Sequence, residues 1–144
     1  LCSALYPIEF IDEITSVEQY LDAHLGPTVR CFLYNELLRP QYYPSVANLC
    51  TSNTSLIESI VFKQMIGSGL ADGMRKAMTI NDDTARLSLE EIRNVFDIVS
   101  DMLSDGREYL IDRRERMHQS VGFTAADLTF AALAGAIIMP PELK

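Results

Sequence analysis

The segment at residues 122–141, GFTAADLTFAALAGAIIMPP, is the feature that most constrains how this chain can fold. After Asp127 the only polar side chain before the two prolines is Thr129. A helix that is apolar on every side is normally buried, and prolines end it. At about 15 residues it is shorter than the roughly 20 that span a bilayer. The sequence therefore predicts the buried central helix of a soluble helical bundle.

Thr124 and Asp127 have the spacing of a capping box at the start of this helix. In that motif the threonine hydroxyl accepts from the N–H of Asp127, and the carboxylate accepts from the N–H of Thr124. Phe123 and Leu128 are placed to form the accompanying hydrophobic staple. We therefore predict a structural role for Asp127, the carboxylate that is most easily mistaken for a catalytic acid.

The same residues resemble a known family. FTAADLTFAALA at 123–134, preceded by DGREYL and followed by PPEL, resembles the core-helix signature of the C-terminal domain of glutathione transferases. Residues 18–38 resemble the long first helix of that domain, and residues 5–7 resemble the linker before it. The resemblance implies an all-α bundle of about five to six helices around a buried central helix. Residues 1–7 would then be a linker-like lead-in and residues 8–144 a single domain.

The resemblance also implies how function is divided. In that family a thioredoxin-like N-terminal domain activates glutathione, and the helical domain lines the pocket for the electrophilic substrate. This sequence has no βαβ pattern, so we predict no catalytic residue in the chain, and glutathione only with an upstream thioredoxin-like domain. Tyr34 and Arg30, one helical turn apart, are the candidates for the substrate pocket. The alternative is that Tyr34 is an ordinary residue of the bundle surface.

The chain departs from the family pattern before the core helix, where it inserts IDRRERMHQSVG. Arg113, Arg114 and Arg116 form a basic cluster in a chain with 12 basic and 20 acidic residues and a net charge of −8. One interpretation is a solvated loop, and the other is a patch that docks an acidic partner or a partner domain. The overall negative charge argues against nucleic acid and anionic membrane surfaces as partners.

The titratable residues give no sign of a metal site. His24 and His118 are far apart, without cysteines or carboxylates at ligand spacing. The number of cysteines is odd, and they are widely spaced: Cys2, Cys31 and Cys50. This pattern favours a reducing intracellular compartment over a disulfide framework. We expect the cytoplasm, or a chloroplast or mitochondrion if the chain is processed.

Apolar spacing predicts helices over the rest of the chain. The first begins at Ile8 and should kink or briefly break at Gly26-Pro27, and residues 39–51 are predicted to be a loop. A second helix covers residues 52–78, with a bend at 67–69. Ser88 and Glu91 have capping-box spacing, which predicts the start of a third helix that ends at residues 105–106. The first apolar stripe of the second helix is formed by Leu56, Ile57, Ile60, Val61 and Met65.

Two functions fit these observations. The chain is either the substrate-pocket and interface half of a glutathione transferase-like enzyme, or a non-enzymatic scaffold or interaction subunit built on the same domain. Both place it against another polypeptide: a thioredoxin-like domain or another protein subunit, with a second copy also a candidate. The apolar lead-in predicts the interface, continued by Phe10, Tyr20 and Tyr34. The alternative is that these residues pack onto the bundle's own core.

Overall fold

The computed structural model describes residues 2–111 and 122–138, and within these ranges all regular secondary structure is helical. The predicted all-α class is thereby confirmed. Short 3₁₀ segments cover Ile8–Phe10 and Pro40–Tyr42, and a π-helical segment covers Ile66–Leu70. None of the helices in this part of the chain has the length and hydropathy needed to cross a membrane. The α-helices are α1 Cys2–Leu5, α2 Ile11–Leu37, α3 Tyr43–Cys50, α4 Leu56–Met65, α5 Ala71–Ala77, α6 Asp82–Leu103 and α7 Ala125–Ile138.

The chain divides into two compact units, and each has its own buried cluster. The first unit comprises Leu1–Val29 and Leu89–Lys144, and the second is Arg30–Ser88. The cluster of the first unit consists of Ile14, Val99, Leu110, Ile111, Ala125 and Ala126. The cluster of the second consists of Leu38, Ala47, Ile66 and Ala71. The single domain predicted for residues 8–144 stays a prediction.

The lead-in belongs to the core of the first unit. Residues 2–5 form α1 where an extended linker is predicted, and Leu5, Tyr6 and Phe10 pack against the buried cluster. The hydroxyl of Tyr6 donates to Glu18 Oε1 at 2.9 Å, which holds the segment against α2. The prediction of an extended lead-in is therefore wrong. The three side chains follow the alternative outcome, since they cover the chain's own core.

Of the two outcomes predicted at Gly26-Pro27, the brief break is wrong because α2 continues through both residues, and the kink stays a prediction. Leu25 and Val29 are buried on either side of the proline, so packing holds the helix in place before and after it. The hydroxyl of Thr28, the residue after the proline, donates to the carbonyl of Leu25 at 3.0 Å. Burial of this face offsets the cost of about 3 kcal/mol that an interior proline brings.

Two further boundaries in the second unit differ from the sequence prediction. Residues 39–51 contain α3 instead of a loop, because Pro44 lies in the first turn of the helix, where no N–H is needed, and Ala47 is buried. Ser88 does not cap a helix, since α6 begins six residues earlier and Ser88 is buried within it. Asn81 takes the capping role, its Oδ1 accepting from the N–H of Thr84 at 2.9 Å.

The predicted irregularity at residues 67–69 is confirmed. The chain passes from α4 into the π-helical segment, and Gly69 has φ +108°, a conformation that side chains with a Cβ rarely adopt. This segment ends α4 and redirects the chain into α5. The helix predicted over residues 52–78 is therefore two shorter helices joined by an irregular turn.

Candidate functional site

The start of α7 is fixed by the carboxylate of Asp127. Its Oδ2 accepts from both the N–H and the hydroxyl of Thr124 at 2.8 Å, and its Oδ1 accepts from the N–H of Leu110 at 2.8 Å. Thr124 and Leu110 are buried, so these donors have no solvent to replace the carboxylate. The threonine hydroxyl thus donates to the carboxylate, where the predicted capping box has it accept from the N–H of Asp127. Asp127 joins the segment around Leu110 to the start of α7.

The staple pair lies at the edge of this arrangement. The side chains of Phe123 and Leu128 are 47% and 48% exposed. The ring of Phe123 instead meets the ring of Tyr109 edge to face, with centroids 6.2 Å apart. The start of α7 is consequently held by hydrogen bonds more than by apolar cover.

One side of α7 packs into the first unit. Ala125, Ala126 and Ala134 are buried, and Phe130 packs against the core cluster. The ring of Phe130 also lies edge to face against Phe96, at a centroid distance of 5.5 Å. These contacts place α7 against α6.

The other side of α7 is open. Ile138 is 58% exposed and Leu128 is 48% exposed, although the helix has no polar side that would favour this. The prediction of a helix buried all round is therefore wrong, because the described residues pack against only one of its sides. The exposed small side chains allow close approach of another helix, since the distance between packed helices depends on the side chains at the contact. We call this surface the α7 face: Leu128, Ala131, Ala132, Ala136 and Ile138, all exposed.

Helix α4 carries a second apolar surface. Its start is a true capping box, in which the N–H of Ser55 donates to Glu58 Oε2 at 3.0 Å and Ser55 Oγ accepts from the N–H of Glu58 at 3.4 Å. The hydrogen bonds from Ser55 hold the pKa of Glu58 below its ordinary value. Phe62 packs against the core cluster of the second unit. With Phe62 facing inward, the residues of the predicted apolar stripe face outward. We call this surface the α4 face: Leu56, Ile57, Ile60, Val61 and Met65, all exposed.

A groove runs along α2 and α6 within the first unit. One part, of about 260 Å³, has an apolar lining that includes Val17, Tyr20 and Ile98. It continues past Val17 and Met102 into a part of about 430 Å³ that also contacts Asp12, Glu13 and Arg107. The volume of the larger part is within the range of about 300–1,000 Å³ that is typical of small-molecule sites. Sequence periodicity cannot show this groove, because its two walls lie far apart along the chain.

A polar pair connects the same two helices. His24 Nδ1 lies 2.8 Å from Glu91 Oε1, and the ring of Tyr20 stacks on the imidazole at a centroid distance of 4.6 Å. The sequence indicated only that His24 does not belong to a metal site. Its partner is 67 positions away, and nothing in the local pattern of either helix indicates the pairing.

The second unit contains a polar cluster around the buried Asn35, which is 4% exposed. Its Nδ2 donates to Asp82 Oδ1 at 2.9 Å, and its Oδ1 accepts from Arg75 Nη2 at 3.0 Å. Arg39 Nη2 also lies 3.3 Å from Asp82 Oδ1. The hydrogen bond from Asn35, followed by the charge of Arg39, holds the pKa of Asp82 below its ordinary value. Because these groups bond one another, the cluster is a structural connection between α2, α5 and α6.

Of the sequence-predicted site residues, the substrate-pocket candidates Arg30 and Tyr34 lie among the described residues. Tyr34 packs against the core cluster of the second unit, while Arg30 is exposed. Their role in a substrate pocket stays a prediction. Arg113, Arg114 and Arg116 lie outside the described residues. Among residues 2–111 and 122–138, no group of three or more His, Cys, Asp or Glu side chains is arranged to hold a metal ion.

Comparisons with known proteins gave no match to a family model, to a curated protein or to a solved structure. The resemblance to glutathione transferases therefore stays a hypothesis carried by the sequence motifs.

Proposed function

We propose that this chain is an interaction module that packs against another folded polypeptide through the α7 face. The observation that supports this is the contrast between the composition of α7 and its exposure. A helix that meets water on one side normally has a polar stripe there, and α7 has none. Contiguous exposed apolar surface on a folded chain generally marks an interface.

The sequence resemblance implies a thioredoxin-like domain as the partner, and we propose that this domain covers the α7 face because that face is exposed in the chain. In that case the chain is the substrate-pocket and interface half of a glutathione transferase-like protein, and the other domain binds glutathione. This version predicts that the chain alone does not conjugate glutathione to a general electrophile. A spectrophotometric assay tests it, and turnover well above background would direct attention to Tyr34 and Cys31.

A scaffold or interaction subunit of a larger assembly is the second candidate. The α4 face favours it, because a chain with two separate apolar surfaces suits an assembly with more than one contact. Leu56, at the start of that face, is 83% exposed, and the face itself carries no charged residue. In this version the α7 face remains an interface, and only the identity of its partner changes.

Both versions of the proposal make the α7 face an interface, and placing a charge on that face tests this claim. We expect Ala132→Arg to change the free energy of unfolding of the isolated chain by no more than about 0.5 kcal/mol, since the position is exposed. In the native assembly the same change should release the chain, which sedimentation would detect as a smaller species. Ser100→Arg, at an exposed position of α6, is the matched control and should leave the assembly intact. Retention of the Ala132→Arg variant in the assembly would contradict the proposal.

A further inference from the structure

We propose that the groove between α2 and α6 binds a basic amphipathic segment of another polypeptide. This surface lies in the first unit and is distinct from the α7 face. The inference therefore does not depend on the proposed function. It rests on the shape of the groove, its apolar floor and the charges at its rim.

The floor of the groove suits apolar anchor residues. Val17, Tyr20 and Met102 are partly exposed along it, above the buried Leu21 and Val99. From Asp12 to His24 the α2 wall rises by about 18 Å, at roughly 1.5 Å per residue. That length matches about three turns of a bound helix, which would present apolar residues at every third or fourth position.

The rim of the groove is acidic. Asp12 and Glu13 line its wider part. On α6 the exposed Asp101 follows Ile98 by one turn, outside the lining residues. The guanidinium of Arg107 lies 2.6 Å from the carboxylate of Asp105, so its charge is largely matched. Carboxylates beside an apolar floor attract Lys and Arg more strongly than they would in open water.

The far end of the groove is fixed in shape. The contact between His24 and Glu91 joins the two walls, and Tyr20 stacks on that imidazole. A bound segment would meet apolar surface in the middle and negative charge at the rim. The net charge of −8 adds a long-range attraction for a basic partner and opposes an acidic one.

Fluorescence anisotropy with labelled model peptides tests the proposal. The probe is a 14-residue helix former with Leu at helical spacing and Lys elsewhere. One comparison peptide has Glu in place of Lys, and the other has Ser in place of Leu. We expect the Leu–Lys peptide to bind saturably at 1:1, and neither comparison peptide to bind. Salt should weaken this binding, because exposed charges are screened.

Matched variants locate the binding site. Asp12→Lys combined with Asp101→Lys should weaken binding about tenfold, and Ile98→Ala about fivefold, as expected for charge and anchor contacts. Asp72→Lys combined with Asp83→Lys makes the same change in net charge at exposed positions of the second unit, and should weaken binding less than threefold. Circular dichroism of each variant checks that it is folded.

Several results would overturn the proposal. Equal binding of the Leu–Lys peptide and either comparison peptide would show that the groove does not select a basic amphipathic segment. An equal loss in the Asp72 and Asp83 control would show that only net charge matters. Loss of binding in Ile60→Ser, with full binding in Ile98→Ala, would place the peptide on the α4 face instead.

Discussion

Helices α6 and α7 of the first unit contact each other, yet their sequences specify burial in different ways. In α6 the residues Ile92, Val95 and Val99 form a buried stripe, and charged residues such as Asp97 and Asp101 face solvent. In α7 the apolar residues surround the helix, and only one side is covered by the described chain. An apolar stripe indicates which side of a helix is buried. A uniformly apolar helix is expected to be buried on every side, so an exposed side indicates a contact with another polypeptide.

The largest difference between the two helices is expected when a large side chain is truncated. Ile92→Ala in α6 should cost about 2–5 kcal/mol of unfolding free energy, because the side chain is 3% exposed and a cavity is left. Leu128→Ala in α7 should cost less than about 1.5 kcal/mol, since half of that side chain is already in water. Urea unfolding of the isolated chain measures both. Equal losses of unfolding free energy in the two variants would mean that the α7 face is packed in solution. That result would contradict the difference drawn between α6 and α7.

A second prediction concerns the start of α7 as opposed to its open side. Asp127→Ala should destabilise the fold by about 2 kcal/mol, because the buried N–H groups of Leu110 and Thr124 lose their acceptor. Asp127→Asn keeps one acceptor oxygen and should cost less. Urea midpoints of the two variants decide this, and a midpoint for Asp127→Ala within error of wild type would show that the anchor is unnecessary.

The start of α6 should respond to pH. The lowered pKa of Asp82 means that its carboxylate stabilises the fold above the unfolded-state pKa, about 3.9, and that this contribution is lost as pH falls through the folded-state value. Asp82→Asn should therefore be less stable than wild type at neutral pH, and the difference should shrink below about pH 4. Urea midpoints across pH 2–7 measure it. A constant difference across that range would show that the charge of Asp82 does not contribute.

The sequence predicted the features of this fold that are local. The helix that ends before Gly106 and the irregularity near Gly69 follow from apolar spacing and from glycine chemistry, and both are confirmed. The start of α6 and the presence of α3 were missed. In both cases the decisive contact is tertiary: Ser88 is buried within α6, and Ala47 is buried in the second core cluster.

The candidate surfaces were harder to predict than the fold. Periodicity identified the apolar residues of α4 and α7. For α7 it led to the wrong prediction of burial on every side, because a pattern cannot distinguish a core from an interface. The groove depends on pairings such as His24 with Glu91, which no local pattern contains. The exposure of each side chain in the folded chain is the additional information that distinguishes a core residue from an interface residue.

Hydroxyl-radical footprinting of α7 tests the central claim most directly. In the isolated chain Leu128 and Ile138 should be oxidised readily, since both are about half exposed. In the native assembly their oxidation should fall several-fold, while Leu87, an exposed residue of α6, serves as the internal control and should stay unchanged. Equal oxidation of Leu128 and Ile138 in both samples would show that no partner covers the α7 face, and would contradict the account.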